Sequence, residues 1–324
     1  MFAPSAITVI THFDTGADVR PVFSHGPLFD SYNGKMNDMR NPIIRHKYTA
    51  DPTVLTHGEK AYLFTGHDVP PQGVEDYVMR DWLCFSSADL RTWREHPVPL
   101  KAADFAWAGE DAFASKVVFR EGWFYWYVAV THRTIPGKAI GVAVSRTPEG
   151  PYTDALGGPL ISGDMLMTLT SDKENLDPSV LIDDDGQAYI CWGCQVCHFA
   201  KLDDSMIKLA GEISTIPLPA FSEGSHLYKR NGHYYLMYGQ GMPEKVGYAM
   251  SSSINGPWEY RGIVNEVPYN CATNRPATLD FQGKSWFFYH NGALRGGGSY
   301  RRSVCMEPLE YEEDGTVRKV VMSK

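Results

Sequence analysis

Four short segments hold the residues best suited to chemistry: Ala50-Asp51-Pro52, Leu176-Asp177-Pro178, Ser222-Glu223-Gly224 and Asn274-Arg275-Pro276. A fifth, Glu110-Asp111-Ala112-Phe113-Ala114, lies near the matching place in its own stretch of chain. Three carboxylates and an arginine brought to one point suit acid–base catalysis. One carboxylate can activate water while another stays protonated to donate to a leaving group. Repulsion from a third raises the pKa of its neighbour and keeps that acid protonated near neutrality. A single Asp-Pro reads equally well as the start of a strand, a position that proline tolerates. It is the recurrence at equivalent positions that points to a site.

The equivalence comes from an internal repeat. Aromatic and β-branched strings recur at 62–66, 124–128, 188–193, 234–238 and 285–289, and such compositions favour strands. Each follows a glycine turn: His57-Gly58, Glu121-Gly122, Asp185-Gly186, Asn231-Gly232 and Gln282-Gly283. Before each turn stands a short strand, at Pro52–Leu55, Ser115–Phe119, Ser179–Ile182, His226–Tyr228 and Ala277–Leu279. A third segment completes each unit, as in Cys84–Ser87 or Val142–Ser145. Units starting roughly 45–65 residues apart are blades of a propeller. The chain is therefore expected to be all-β, a five-bladed β-propeller forming one domain over residues 41–324, with a β-sandwich as the competing architecture. Residues 1–40 are expected to be an N-terminal extension or a ring-closing segment. In a propeller the first strand of each blade lies at the axis, so the residues opening those strands converge.

Composition narrows the function classes. The 324 residues include 30 Lys+Arg and 38 Asp+Glu, a formal charge of −8, and 43% are hydrophobic. That apolar fraction can fill a large core. The acidic balance speaks against a nucleic-acid partner, which calls for a basic face. No apolar run approaches the roughly 20 residues of a membrane span. Six cysteines are too few for a disulfide scaffold, and Met1–Arg20 lacks a basic stretch followed by an apolar one. A cytoplasmic location follows for this chain alone, with secretion the expectation if it is truncated.

Taken together, Ala50-Asp51-Pro52, Leu176-Asp177-Pro178-Ser179, Glu223-Gly224-Ser225-His226 and His290-Asn291-Gly292, followed by the Gly296–Cys305 run, resemble glycoside hydrolase family 43. The resemblance covers the chain from about Asn41 to Val321. It implies a five-bladed propeller that cleaves glycosidic bonds of arabinose- or xylose-containing polymers with inversion. It further implies Asp51 as general base, Glu223 as general acid, and Asp177 as the residue that orients and tunes the acid. Inversion requires the two working carboxyls to stand roughly 6.5–9.5 Å apart, leaving room for a water. Where the family often has Ala-Pro-Asp, this chain reads Ala108-Gly109-Glu110-Asp111-Ala112, so Asp111 is expected only as a pocket residue. Leu294-Arg295 replaces the usual Leu-Pro and would alter a contact at the rim.

Arg275 is expected to offer its donor fork to sugar hydroxyls or to a pocket carboxylate. Phe113 and Trp107 are the aromatics nearest an opening and are expected as sugar platforms. The resemblance places His290 near a central cation, often calcium, with water supplying most ligands because calcium prefers six to eight oxygens. A neutral histidine satisfied by the backbone is the other reading of that position. No redox cofactor is required. The expected substrates are xylo-oligosaccharides or arabinoxylan fragments. Resemblance of Thr49–Leu55 and His290–Cys305 favours an exo-acting β-xylosidase with α-L-arabinofuranosidase activity. An arabinofuranosidase that debranches arabinoxylan is the alternative within the family. A carbohydrate-binding propeller without catalysis is the rival outside it.

Two motifs point elsewhere. Cys194-Gln195-Val196-Cys197-His198 has the pattern of covalent haem attachment, and with Cys191 it could suit zinc. It falls where blade three turns between strands, so small buried thiols are the simpler reading. Asp183-Asp184-Asp185-Gly186 looks like a calcium loop but sits at a hairpin, and a turn is expected there.

Overall fold

The recurring aromatic strings form the middle strands of five antiparallel sheets. The structure is a computed structural model and describes residues 41–166, 171 and 173–323. Blade one contains β1 (Thr49–His57), β2 (Lys60–Asp68), β3 (Met79–Ser87), β4 (Arg94–Glu95) and β5 (Leu100–Lys101). Blade two contains β6 (Ser115–Arg120), β7 (Trp123–Thr131), β8 (Lys138–Ser145) and β9 (Thr153–Asp154). Blade three runs through β10 (Ser179–Ile182), β11 (Ala188–Trp192), β12 (Cys197–Leu202) and β13 (Leu209–Ile216). Blade four follows with β14 (His226–Arg230), β15 (His233–Gln240), β16 (Lys245–Ser251) and β17 (Glu259–Asn265). Blade five has three strands, β18 (Ala277–Phe281), β19 (Lys284–Asn291) and β20 (Ser303–Leu309). The protein is a five-bladed β-propeller, as the repeat predicts.

Turn chemistry explains the hairpins. Glu121-Gly122, Asn231-Gly232 and Gln282-Gly283 each form a two-residue loop with positive φ at both positions. That loop matches the right-handed twist of the strands it joins, and glycine takes its second position without strain. At Asp183–Gly186 the chain also turns, with Gly186 N–H bonded to Asp183 O at 2.9 Å. Asp183 itself pairs with Lys229 and Tyr234, each at 2.5 Å.

The inner strands β1, β6, β10 and β14 contact one another in order, and β1 also meets β18. Ring closure uses the residues just before β1. Ile43 N–H bonds Val304 O at 2.9 Å, Thr49 N–H bonds Arg302 O at 2.8 Å, and Asn41 Oδ1 accepts from Met306 N–H at 2.9 Å. Residues 41–49 therefore run beside β20 and complete blade five. The expectation for residues 1–40 lies outside the described residues.

Large aromatics fill the spaces between and within blades. Trp82, Trp126 and Trp192 are fully buried, with Phe64 edge-on to Trp126 at 5.0 Å. Truncating such a ring to alanine costs about 3–5 kcal/mol. These tryptophans hold the blades rigid, leaving the strand openings at fixed positions around the axis. No helix among the described residues is long and apolar enough to cross a membrane.

Candidate active site

A kink recurs at the strand openings. Asp51, Asp111 and Asp177 all have positive φ, at 51°, 77° and 56°. Non-glycine residues rarely adopt this region, and strain held at several equivalent places marks a functional site. In β1 the pairing register with β2 shifts between Ala50 and Thr53, leaving Asp51 unpaired in the ladder. Glu223 keeps an ordinary backbone, and the positive φ falls on Gly224, at 73°.

Asp51 is held from two sides. Its Oδ1 is ion-paired to Arg302 Nη1 at 3.0 Å, and its N–H donates to His290 Nδ1 at 3.2 Å. Arg302 is itself clamped by Asp68, through Nε and Nη2 at 2.9 Å each, and it is only 4% exposed. The Tyr77 ring faces the guanidinium, with 4.8 Å from its centre to Cζ. A fork matched to two carboxylates fixes a direction as well as a charge.

Asp177 lies between the Glu223–Gly224 backbone and a cation. Its Oδ2 accepts from Gly224 N–H at 2.7 Å, and its Oδ1 stands 2.9 Å from Arg275 Nη1. Arg275 Nη1 is close without being aligned for a hydrogen bond, so what it supplies there is charge. Burial, joined by repulsion from Asp51, raises the Asp177 pKa against the lowering pull of Arg275 and Gly224. Glu223 has no hydrogen-bond or ion-pair partner for its carboxyl among the described residues. Burial, followed by repulsion from Asp177, Glu244 and Asp51, lifts its pKa well above the usual range. Its carboxyl therefore holds a proton more tightly than an ordinary glutamate does.

These three carboxylates line one cavity of about 250 Å³, room for a single sugar ring. Asp111 and Phe113 line it from blade two, and Lys138 links them by a 3.1 Å ion pair to Asp111 and a position 4.2 Å over the Phe113 ring. Asp76 and Tyr77, from the loop between β2 and β3, and Lys173 and Leu176, from the segment before β10, complete the wall with Arg302.

One expected contact falls elsewhere. Trp107 is not in the cavity wall, because its indole N–H donates to Asp154 at 2.9 Å and its ring packs on Phe105 and His132. Arg275 does not line the cavity, and of its two expected partners it takes the pocket carboxylate. Nearly buried, its guanidinium needs a counter-charge and takes Asp177 in place of sugar hydroxyls. His290 lies wholly buried next to Asp51, with Nε2 3.0 Å from Thr273 O. Burial, then Arg302, pushes its pKa far down, so the ring is neutral, accepting at Nδ1 and donating from Nε2. A cation bound at Nδ1 would first have to displace the Asp51 N–H.

The sequence profile of the glycosyl hydrolases family 43 matches residues 39–317, nearly the whole propeller with its cavity. The chain belongs to glycosyl hydrolase family 43. It is a glycoside hydrolase. It is 30% identical to the xylosidase/arabinosidase 43A of Humicola insolens, over 85% of this chain and 98% of that protein. A β-xylosidase/α-arabinofuranosidase from a compost microbial metagenome, solved with xylotriose in a calcium-free form, superposes with a TM-score of 0.78 at 26% identity, covering 87% of this chain and 97% of that one. An α-L-arabinofuranosidase from Clostridium thermocellum superposes with a TM-score of 0.72 at 31% identity, covering 87% and 96%.

Within this family-43 propeller the Cys197-His198 end of the cysteine motif is buried in the blade, while Cys194 is half-buried at the turn. The Cys191 and Cys197 thiols are buried, Cys197 Sγ points at its neighbour's carbonyl, His198 O, at 4.0 Å, and His198 Nε2 meets Glu174 at 2.9 Å. Sequence reasoning assigned no role to Arg302, Asp68, Lys138 or Glu244. A signal existed for Arg302, since an arginine entering the apolar run Val304-Cys305-Met306 must find a buried partner.

Proposed function

We propose that the protein is an inverting exo-glycosidase that removes single sugars from xylan or arabinoxylan fragments. Its activity on this reading is that of a β-xylosidase with α-L-arabinofuranosidase activity. Asp51 takes a proton from the attacking water, Glu223 gives one to the departing oxygen, and Asp177 orients Glu223. The carrying observation is the contrast between two carboxyls in one cavity, Asp51 ion-paired to Arg302 and Glu223 buried with no partner for its carboxyl among the described residues. Opposed environments of this kind assign base and acid. The cavity's size favours one sugar ring over an extended chain, which supports exo cleavage. Xylopyranose and arabinofuranose present similar hydroxyl arrays, so one pocket can take both. The names of the Humicola and compost relatives, each pairing the two activities, support that pairing.

The reading needs no redox cofactor. Calcium belongs to it only as an ion held through water near His290, since both ring nitrogens are engaged. Its cytoplasmic setting rests on composition and on six unpaired cysteines. The test compares aryl β-xyloside and aryl α-L-arabinofuranoside hydrolysis by the wild type, Asp51→Ala and Glu223→Ala, with NMR of the first-formed anomer. Inverted product, with activity lost in Asp51→Ala, is expected. Retained configuration would overturn the mechanism. Binding of xylo-oligosaccharides without turnover would move the protein to the non-catalytic rival. Activity on the arabinofuranoside alone would favour the arabinofuranosidase alternative.

A further inference from the structure

Glu244 opens the turn into β16, outside the cavity wall, and is only 1% exposed. Its Oε1 accepts from Ser222 Oγ at 2.7 Å, and its Oε2 accepts from Asn274 N–H at 2.8 Å. Ser222 immediately precedes Glu223, and Asn274 immediately precedes Arg275, the cation beside Asp177. No cation pairs with Glu244 among the described residues. A buried carboxyl without a counter-ion is costly, and a neutral side chain could make the same bonds at less cost. Gly239 is shaped to this contact, since a Cβ there would stand 2.9 Å from Glu244 Cδ and 3.1 Å from Glu223 O.

We infer that Glu244 is a positioning residue for the acid step, tying the backbone entrance of Glu223 in blade four to that of Arg275 in blade five. Through this tie the acid, its orienting aspartate and the aspartate's cation share one frame. The inference rests on the reading of Glu223 as the acid.

Its charge adds a second effect. Burial pushes the Glu244 pKa up to about 7, offset by the bonds from Asn274 and Ser222. Glu223 is faced by Asp177, Glu244, Asp51 and Arg275, with the Cys194 thiol also close. When ionised, Glu244 repels a charge on Glu223 and so holds the proton there more tightly. Removing that charge moves the basic limb of the rate profile to lower pH.

The experiment measures kcat/KM against pH on 4-nitrophenyl β-xyloside and on xylobiose. Glu244→Asp keeps the charge but is one methylene too short to span Ser222 and Asn274. We expect it to lose about 10-fold or more on xylobiose and less than about 3-fold on the aryl substrate, whose leaving group needs little protonation. Ser222→Ala cuts the tie from the other side and should show the same split. Glu244→Gln keeps the reach, and its basic limb should fall by about half a pH unit or more. Equal losses on both substrates in Glu244→Asp and Ser222→Ala would overturn the inference, leaving Glu244 a residue of the fold. Glu223→Ala serves as the control. If it shows no leaving-group split, the acid assignment fails and the inference falls with it. If it shows the split and the other two do not, only the inference falls.

Discussion

Asp177 Oδ2 accepts a 2.7 Å hydrogen bond from the backbone N–H of Gly224, the residue directly after Glu223. One blade's carboxylate thus grips the main chain that carries another blade's proposed acid. Asp177 acts on Glu223 in two ways, by fixing where its chain turns and by raising its proton affinity.

Asp177→Asn separates these effects. The amide oxygen can still accept from Gly224, but the charge is lost and Arg275 is left buried without its counter-ion. Breaking a buried pair by removing one partner costs about 3–5 kcal/mol. We expect a lower urea midpoint and a basic limb shifted to lower pH, with larger losses on xylobiose than on an aryl xyloside. An unchanged limb would show that Asp177 does not tune the acid.

Asp51→Asn removes the proposed base while leaving a group of the same shape before Arg302. The loss should be about 10²–10⁴-fold in kcat/KM and the same for good and poor leaving groups, because the base acts on water. A leaving-group-dependent loss would mean that Asp51 assists departure instead.

Asp68→Ala probes the base from behind. Asp68 is 1% exposed and does not line the cavity that holds Asp51, so its effect there must pass through Arg302. We expect a stability loss of about 3 kcal/mol by denaturant titration. Activity should fall as well, since Arg302 would no longer hold Asp51 in one direction. Full activity in the folded variant would remove Arg302 from any positioning role.

The raised carboxyls also set a pH dependence of stability. In the folded chain Glu223 keeps a proton that the unfolded chain releases in the ordinary glutamate range. Stability is therefore full below that range and declines as pH rises toward the folded value. Glu223→Gln does not titrate, so its melting temperature should gain on the wild type steadily from pH 4 to pH 8. A gap that stays constant with pH would show that Glu223 is not held protonated.

The strand openings were legible because a repeat makes five short segments comparable, and glycine turns mark their phase. Asp51, Asp177 and Glu223 could be picked out that way, and all three line one cavity. The backbone kink at Asp51 and Asp177 was not legible, since Asp-Pro fits an ordinary strand start equally well. Trp107 was misread because an aromatic beside a strand opening can face the axis or a neighbouring blade, and its choice depends on Asp154, 47 residues away. Arg302 and Glu244 were missed for a related reason. Each matters through a partner distant in sequence, Asp51 for Arg302 and Asn274 for Glu244.

Blade five is completed by residues 41–49 lying beside β20. The proposed base and the arginine that holds it thus come from opposite ends of the propeller sequence, 251 residues apart. A nascent chain carries Asp51 from early in synthesis, yet the residue has no fixed direction until Arg302 has emerged and docked. Hydrolytic competence should therefore arrive last and all at once. Fragments ending before residue 302 would contain Asp51, Asp177 and Glu223 and still be inert.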